Sequence, residues 1–326
     1  MARRRPEESD IRIRPAKSTR RRSKDRPSHS DSIAAQVITV DRGRTLCRIA
    51  SGQLVSAMKA RELGKNSVVV GDLVNIVGDV SGDTGSLARI VAVQPRRNSL
   101  SRTIDDAGAF EKTIAANLDQ MIIVAASADP SPRQGFIDRC LAVAFDQGIK
   151  PIIVMSKADL ADPDEFLSAY KDLEVEYLKL KRGDDLTQLH KILEAKVSVL
   201  IGHSGVGKST LVNALLGIEK RDTGDVNLTT GRGRHTSSSA ISFELPNGGW
   251  IIDTPGVRSF GLEHIDKSRV IASFTEFESV IASCPKNCSH DEATCALNNY
   301  VKASPQASSR LASLQRLLDS SSQEII

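Results

Sequence analysis

Residues 197–216 constrain this chain more than any other stretch. They read Val-Ser-Val-Leu-Ile, then Gly-His-Ser-Gly-Val-Gly-Lys-Ser, then Thr-Leu-Val-Asn-Ala-Leu-Leu. An apolar run, a glycine-rich turn and a leucine-bearing helical segment follow one another without a break, which is the context that gives G-x-x-x-x-G-K-[ST] its meaning. Glycine takes turn dihedrals that a Cβ disfavours, so the backbone N–H groups can close on phosphate oxygens. The following helix points its positive end at the same anion. The expected phosphate cradle is Gly202, His203, Ser204, Gly205, Val206, Gly207, Lys208, Ser209 and Thr210. In it Lys208 supplies charge to the β- and γ-phosphates, and the Ser209 hydroxyl is placed for Mg²⁺.

At 326 residues the chain is too long for one ordinary domain. It carries no apolar window of membrane-spanning length and opens on no secretory pattern, so the expected location is the cytoplasm, with no membrane partner. Charge is uneven. Residues 1–26 hold eleven Arg or Lys against four Asp or Glu, a net +7 in a chain of net +4. With almost no apolar residues, 1–31 reads as a disordered basic arm. Either it neutralises nucleic-acid phosphates or it is a solvated tail.

Over 32–95 the pattern turns to short β-type runs: Val37–Val40, Leu46–Ile49, Val68–Val70, Leu73–Val77 and Ile90–Val93, with turn residues between them. About five strands in about sixty residues predict an OB-fold barrel. The 34–94 stretch has no aromatic residue, so any nucleic-acid contact there would be electrostatic and not by base stacking. Residues 96–113 are polar and read as a linker. From 114 to 262 apolar runs alternate with helical periodicity, at Met121–Ala126, Arg133–Gln147 and Pro151–Met155. That alternation predicts a mostly parallel, doubly wound sheet. Residues 263–326 read as helical.

Two tetrapeptides stand at predicted strand ends. Ser156-Lys157-Ala158-Asp159 follows the 151–155 run, where α/β folds bind ligands. A carboxylate at Asp159 can accept both N1–H and the exocyclic amine of guanine, and the Lys157 stem can lie across a base. Asp253-Thr254-Pro255-Gly256 follows Trp250–Ile252. Asp253 is expected on the magnesium side through water, and the Gly256 N–H at the γ-phosphate. Between them Gly231–Thr236 reads as a switch segment, with Thr236 completing the Mg²⁺ shell when GTP is bound. Finally Cys284, Cys288, His290 and Cys295 make a closed set of three thiolates and one imidazole, the pattern of a structural zinc.

Assembled in this order, with the base-reading element ahead of the phosphate cradle, the chain resembles the ribosome small subunit-dependent GTPase A (RsgA) family. The match runs over nearly all of it after the arm and rests on Ala115-Ala116-Asn117-Leu118-Asp119-Gln120, S-K-A-D at 156, G-H-S-G-V-G-K-S-T at 202, G-R-H-T at 233, D-T-P-G at 253 and the cysteine cluster. The resemblance implies a circularly permuted GTPase domain between an OB barrel and a zinc domain. It implies GTP and GDP as ligands, the small ribosomal subunit and its rRNA as partners, hydrolysis stimulated by the subunit, and action late in subunit assembly. It also implies that His235 positions the attacking water, with Lys208 and Thr236 as the other catalytic residues, because Val257 stands where Ras-type enzymes carry Gln. The chain departs from the family in having Ser156 where Asn is usual, in slightly shorter gaps within the cysteine cluster, and in lacking a Ser-Ala-Lys element between Leu178 and Leu186. A monomer is the default expectation. The rival readings are an RNA-binding adaptor that uses GTP only as a ligand, and a P-loop kinase or ATPase.

Overall fold

The computed structural model describes residues 29–41, 43–64, 67–104, 110–218, 240–246, 248–254, 265–286, 288, 290, 292–302 and 305–320. The basic arm therefore lies almost wholly outside the described residues. So do His235, Thr236, Gly256 and Val257.

Five strands build the barrel: β1 (Ile33–Asp41), β2 (Arg44–Ile49), β3 (Leu54–Lys59), β4 (Leu73–Gly78) and β5 (Ala88–Val93). They pair in the order β1-β2-β3-β5-β4 and close through β1–β4, with β3 and β5 parallel. The inward set is small: Ala35, Val37, Cys47, Val55, Ala57, Val74, Ile76, Ala88 and Ile90 pack together. Two details differ from the sequence expectation. Leu54–Lys59 is a strand, although its inward residues are only Val55 and Ala57 and its apolar signal is correspondingly weak. Val68–Val70 is not a strand; its valines are buried, and Val70 makes one isolated bridge to Ala115.

Residues 96–113 are more than a linker. β6 (Ser99–Ile104) and β7 (Phe110–Ala116) pair as an antiparallel hairpin, with Leu100 and Ala115 in the core.

Continuous with the barrel through one β1–β12 pair, the α/β part of the sheet is formed by β8 (Gln120–Ala126), β9 (Lys150–Ser156), β10 (Glu176–Lys179), β11 (Val197–Ile201), β12 (Ile241–Glu244) and β13 (Trp250–Asp253), in the order β10-β9-β8-β11-β13-β12. All neighbours are parallel except β12–β13. Every residue of β8 is buried, as expected of a central parallel strand covered on both faces. Met121, Ile123 and Ala125 face α1 (Gln134–Asp146). Ile122 and Val124 face α3 (Thr187–Leu193) and α4 (Lys208–Leu215). The short α2 (Asp164–Ser168) follows β9.

The C-terminal segment carries α5 (Lys267–Ala272), α6 (Glu278–Ile281), α7 (Ala296–Val301) and α8 (Pro305–Ser320). Leu311, Leu314, Leu317 and Leu318 of α8 share one core with α1, Phe274 and Phe277. No helix among the described residues is long and apolar enough to cross a membrane.

Candidate functional site: a phosphate cradle closed by the base loop

The chain crosses from β11 to α4 at the carboxyl end of the sheet, between β8 and β13. Gly202 must be glycine, because a Cβ there would stand 2.3 Å from the Val124 carbonyl oxygen. Gly207, at φ 93°, caps α4 in a left-handed conformation. Ser209 and Thr210 are exposed at the helix start. Lys208 folds back over the loop and donates from Nζ to the carbonyls of Gly202 and, at 2.8 Å, His203. Burial pushes its pKa below the usual lysine value, while nearby Asp253 opposes that shift. An ammonium held on two carbonyls in a half-buried site can gain stabilisation from a more negative partner. The His203 ring packs on Phe136 of α1, ring centroids 4.1 Å apart. Beside that pair a cavity of about 300 Å³ is lined by Val124, Pro130, Arg133, Phe136, His203 and Ser204.

The Ser156–Asp159 tetrapeptide comes to the same edge. β9 lies one strand beyond β8, with Ser156 opposite Ala126, so a short side chain at the end of β9 reaches across to the cradle. Ser156 Oγ lies 2.6 Å from the Val206 carbonyl oxygen and 3.2 Å from that of Ala125. Lys157 turns the chain at φ 54° and donates from Nζ to the Asp129 carbonyl, in the loop after β8. That loop leans on the cradle, Pro130 Cδ standing 3.7 Å from where a Gly205 Cβ would be. Ala158 N donates to Leu180 O at 3.1 Å, which ties the loop to the end of β10. Asp159 is exposed beyond these tethers.

On the other side of β11, Asp253 ends β13 opposite Leu200, and buried Thr254 donates to the Leu200 carbonyl at 2.9 Å. The described part of D-T-P-G is thus locked to the strand that feeds the cradle. The chain order is β9 loop, then β11 loop, then β13 end; the spatial order along the sheet is the same edge read continuously. The reversed motif order therefore costs the site nothing, since only strand adjacency matters.

This arrangement decides what the chain is similar to. A model of the RsgA GTPase family matches residues 93–263, and the small ribosomal subunit biogenesis GTPase RsgA of Ectopseudomonas mendocina is 40% identical over 242 residues, covering 71% of this chain and 69% of that protein. The chain belongs to the RsgA GTPase family. The RsgA of Shewanella oneidensis is 39% identical over 266 residues, 78% of this chain and 74% of its own length. Two solved structures share the fold. They are YjeQ from Thermotoga maritima, with a TM-score of 0.64 at 23% identity over 90% of this chain and all of that one, and YloQ, described as a circularly permuted GTPase, with a TM-score of 0.61 at 20% identity over 93% of this chain and all of that one.

The cysteine cluster forms a second centre. One donor atom from each of Cys284, Cys288, His290 and Cys295 lies within 4.8 Å of all the others. Cys284 Sγ is 3.7 Å from Cys295 Sγ and 3.7 Å from His290 Nδ1, and Cys295 Sγ is 3.6 Å from His290 Nδ1. Tetrahedral bonds of about 2.3 Å to sulfur and about 2.05 Å to nitrogen would put sulfurs about 3.8 Å apart and sulfur and nitrogen about 3.6 Å apart. The residues present therefore fit a closed thiolate–imidazole metal site. Cys288 Sγ instead meets Glu292 Oε2 at 3.0 Å, a contact a bound cation would replace. The His290 carbonyl accepts from Gln315 of α8 at 2.9 Å, which fastens the knuckle to the helical core.

Several residues here carry roles that the sequence did not announce. Asn117 and Asp119 are quoted above only for their family resemblance. Asn117 Nδ2 donates to the Gly71 carbonyl in the barrel, and Asp119 accepts from Val197 N, the first residue of β11. Arg316 of α8 approaches Asp138 of α1 at 3.1 Å and lies over the Tyr170 ring. A charged residue in a helical periodicity reads as a solvated face, so neither partner is distinguishable from its neighbours without the fold.

Proposed function

We propose that this chain hydrolyses GTP to GDP and phosphate while bound to the small ribosomal subunit, contacting its rRNA late in subunit assembly, and that the subunit accelerates turnover. The observation that carries the reading is the closure of the Ser156–Asp159 loop on the phosphate cradle through Val206. It puts a carboxylate able to read guanine and a lysine able to hold phosphates on one sheet edge.

In this mechanism Asp159 accepts the two donors of the guanine edge, and adenine leaves it unpaired. Lys208 exchanges its loop carbonyls for β- and γ-phosphate oxygens, while the backbone N–H groups of 203–209 fix the remaining oxygens. Ser209, Asp253 and Thr236 would hold Mg²⁺, which neutralises charge developing on the transferred phosphoryl group. His235 orients the attacking water, a task for which Val257 has no suitable group. Zinc is the metal we assign to Cys284, Cys288, His290 and Cys295. With no open ligand position its contribution is to the fold. The barrel, the zinc knuckle and the basic arm are the surfaces assigned to rRNA, in a cytoplasmic monomer.

The deciding experiment is phosphate release with and without purified small subunits, GTP against ATP. Subunit-stimulated hydrolysis of GTP alone, lost in His235→Ala, is the expected result. Binding without stimulation in either protein would instead establish an adaptor, and effective competition by ATP would establish a kinase or ATPase.

A further inference from the structure

Resting on the reading of Asp159 as the guanine contact, the geometry points to a base pocket that leaves the N7 edge of guanine unread. Ser156 then serves as a positioning residue for the phosphate cradle and not as a base contact. A serine hydroxyl has one proton. Two carbonyl oxygens face Ser156 Oγ, that of Val206 at 2.6 Å and that of Ala125 at 3.2 Å, and the shorter contact takes the proton. Guanine N7 is an acceptor, as are both of these neighbours, so a base approaching from the same edge meets a hydroxyl with nothing left to donate.

Part of the backbone around the same loop is committed as well. Ala158 N donates to Leu180 O at 3.1 Å, Leu160 N to Lys157 O at 3.0 Å, and Ser127 N to Ser156 O at 2.8 Å. The Lys157 ammonium is anchored on the Asp129 carbonyl. The Asp159 carboxylate, an acceptor, selects the N1–H and amine edge and takes no account of N7. The hydroxyl's proton acts at a distance: by fixing the Val206 carbonyl it fixes the loop between Gly205 and Gly207, both of which sit at positive φ and so have little local restraint of their own.

The test uses the full-length chain and a fluorescent GDP displaced by GDP, 7-deaza-GDP, inosine diphosphate or ADP. Wild-type protein is expected to bind GDP and 7-deaza-GDP equally, within about twofold. Ser156→Ala is expected to weaken both by the same factor, about three- to tenfold for one lost hydrogen bond, and Ser156→Thr, which keeps the hydroxyl, to restore both. A thermal melt of each variant separates a loosened cradle from a misfolded chain. A tenfold preference of the wild type for GDP over 7-deaza-GDP overturns the proposal. So does an unchanged GDP affinity in a folded Ser156→Ala protein. If ADP or inosine diphosphate competes as well as GDP, it is the assignment of Asp159 that fails, and with it the premise, whatever the 7-deaza ratio.

Discussion

The GTPase domain is gripped on two sides by different chemistry. Against the barrel the buried contacts are neutral and backbone-centred, and the ion pairs Arg48–Glu244 and Arg97–Asp119 stand at the partly exposed rim. Gly71 packs so tightly that a Cβ would stand 2.1 Å from the Ala116 carbonyl oxygen, Ala116 N donates to Val70 O at 3.0 Å, and Asn117 Nδ2 donates to Gly71 O at 3.0 Å. One ladder pair, Thr39 with Ile241, joins β1 to β12. Against the C-terminal helices the polar contacts are charged. Arg316 meets Asp138 and donates to the Ala169 carbonyl at 3.1 Å, and Arg310 meets Glu276 and the Asp172 carbonyl while lying over Phe274. The buried amides and glycine of the barrel seam are set by shape and are indifferent to pH and salt. A seam of partly buried ions responds to both. The same helix α1 that receives Arg316 at Asp138 touches the glycine-rich loop through Phe136 and His203, so the responsive seam is the one in contact with that loop.

The comparison breaks most severely at Gly71→Ala. The residue is at φ 87° and the added methyl meets backbone, which cannot rotate away. We expect a loss of about 3 kcal/mol or more, read by urea unfolding and equal at pH 5 and pH 8. A loss below about 1 kcal/mol would mean the barrel seam yields, and that it is not set by shape.

Arg316→Met comes next, at about 2–3 kcal/mol near neutral pH, because it leaves a buried carboxylate without its cation. Here pH matters, and the sign follows from the shift. Burial raises the Asp138 pKa above 3.8, Arg316 pulls it down, and burial wins. In the wild type this carboxyl therefore costs stability as pH rises from its ordinary value through the raised folded one. Without Arg316 the folded pKa climbs further, so the penalty of the variant is full above that value and shrinks as acid returns the proton. Unfolding at pH 8 and pH 5 should show the Arg316→Met deficit narrowing at pH 5. In an Asp138→Asn background the deficit should lose its pH dependence. A constant deficit would assign the loss to the Tyr170 stacking contact instead.

Asn117→Ala is the neutral counterpart. It removes the bond to the Gly71 carbonyl and the acceptor for Arg97 N at 2.9 Å. It also gives up a side-chain amide that itself holds a non-glycine residue at φ 58°. The expected cost is about 1–2 kcal/mol, the same at pH 5 and pH 8.

How much of this was legible depends on whether a residue's role is local or not. The cradle was readable because glycine, lysine and serine must stand at fixed spacing after a strand, and β11 begins and ends where the apolar run does. The parallel sheet was readable in outline because β8 and β9 are continuous apolar runs, as expected of strands covered on both faces. The hairpin of β6 and β7 was not, because its residues are mostly polar and its apolar anchors, Leu100 and Ala115, lie far apart in sequence. Within 263–326, expected to be helical, the first helix ends at Ala272, where Phe274 and Phe277 turn into the shared core; aromatic residues at that spacing suit either outcome until their partners on α1 are known. Ser156 was visible as a departure from Asn, but the direction of a hydroxyl is set by the neighbouring loop, and no periodicity encodes it. The two seams were least legible of all, since each is made by residues that are unremarkable alone.

The smallest effect separates a charge at the seam from a charge in it. Arg97 belongs to the barrel side and pairs with Asp119 at 2.9 Å, yet its side chain is 61% exposed against 30% for Arg316. An exposed pair is screened by water and contributes about 0.5 kcal/mol or less; what Arg97 adds beyond that is one hydrogen bond to the Asn117 carbonyl. Arg97→Ala should therefore cost less than Asn117→Ala and show no trend between pH 5 and pH 8. Its charge-dependent part should vanish in 1 M salt, where the Debye length falls to about 3 Å. Arg316→Met should keep most of its deficit in the same salt, because ions do not reach the Asp138 side of the pair. If the two arginine variants respond alike to salt, burial does not distinguish the seams, and the barrel contact must be counted as electrostatic too.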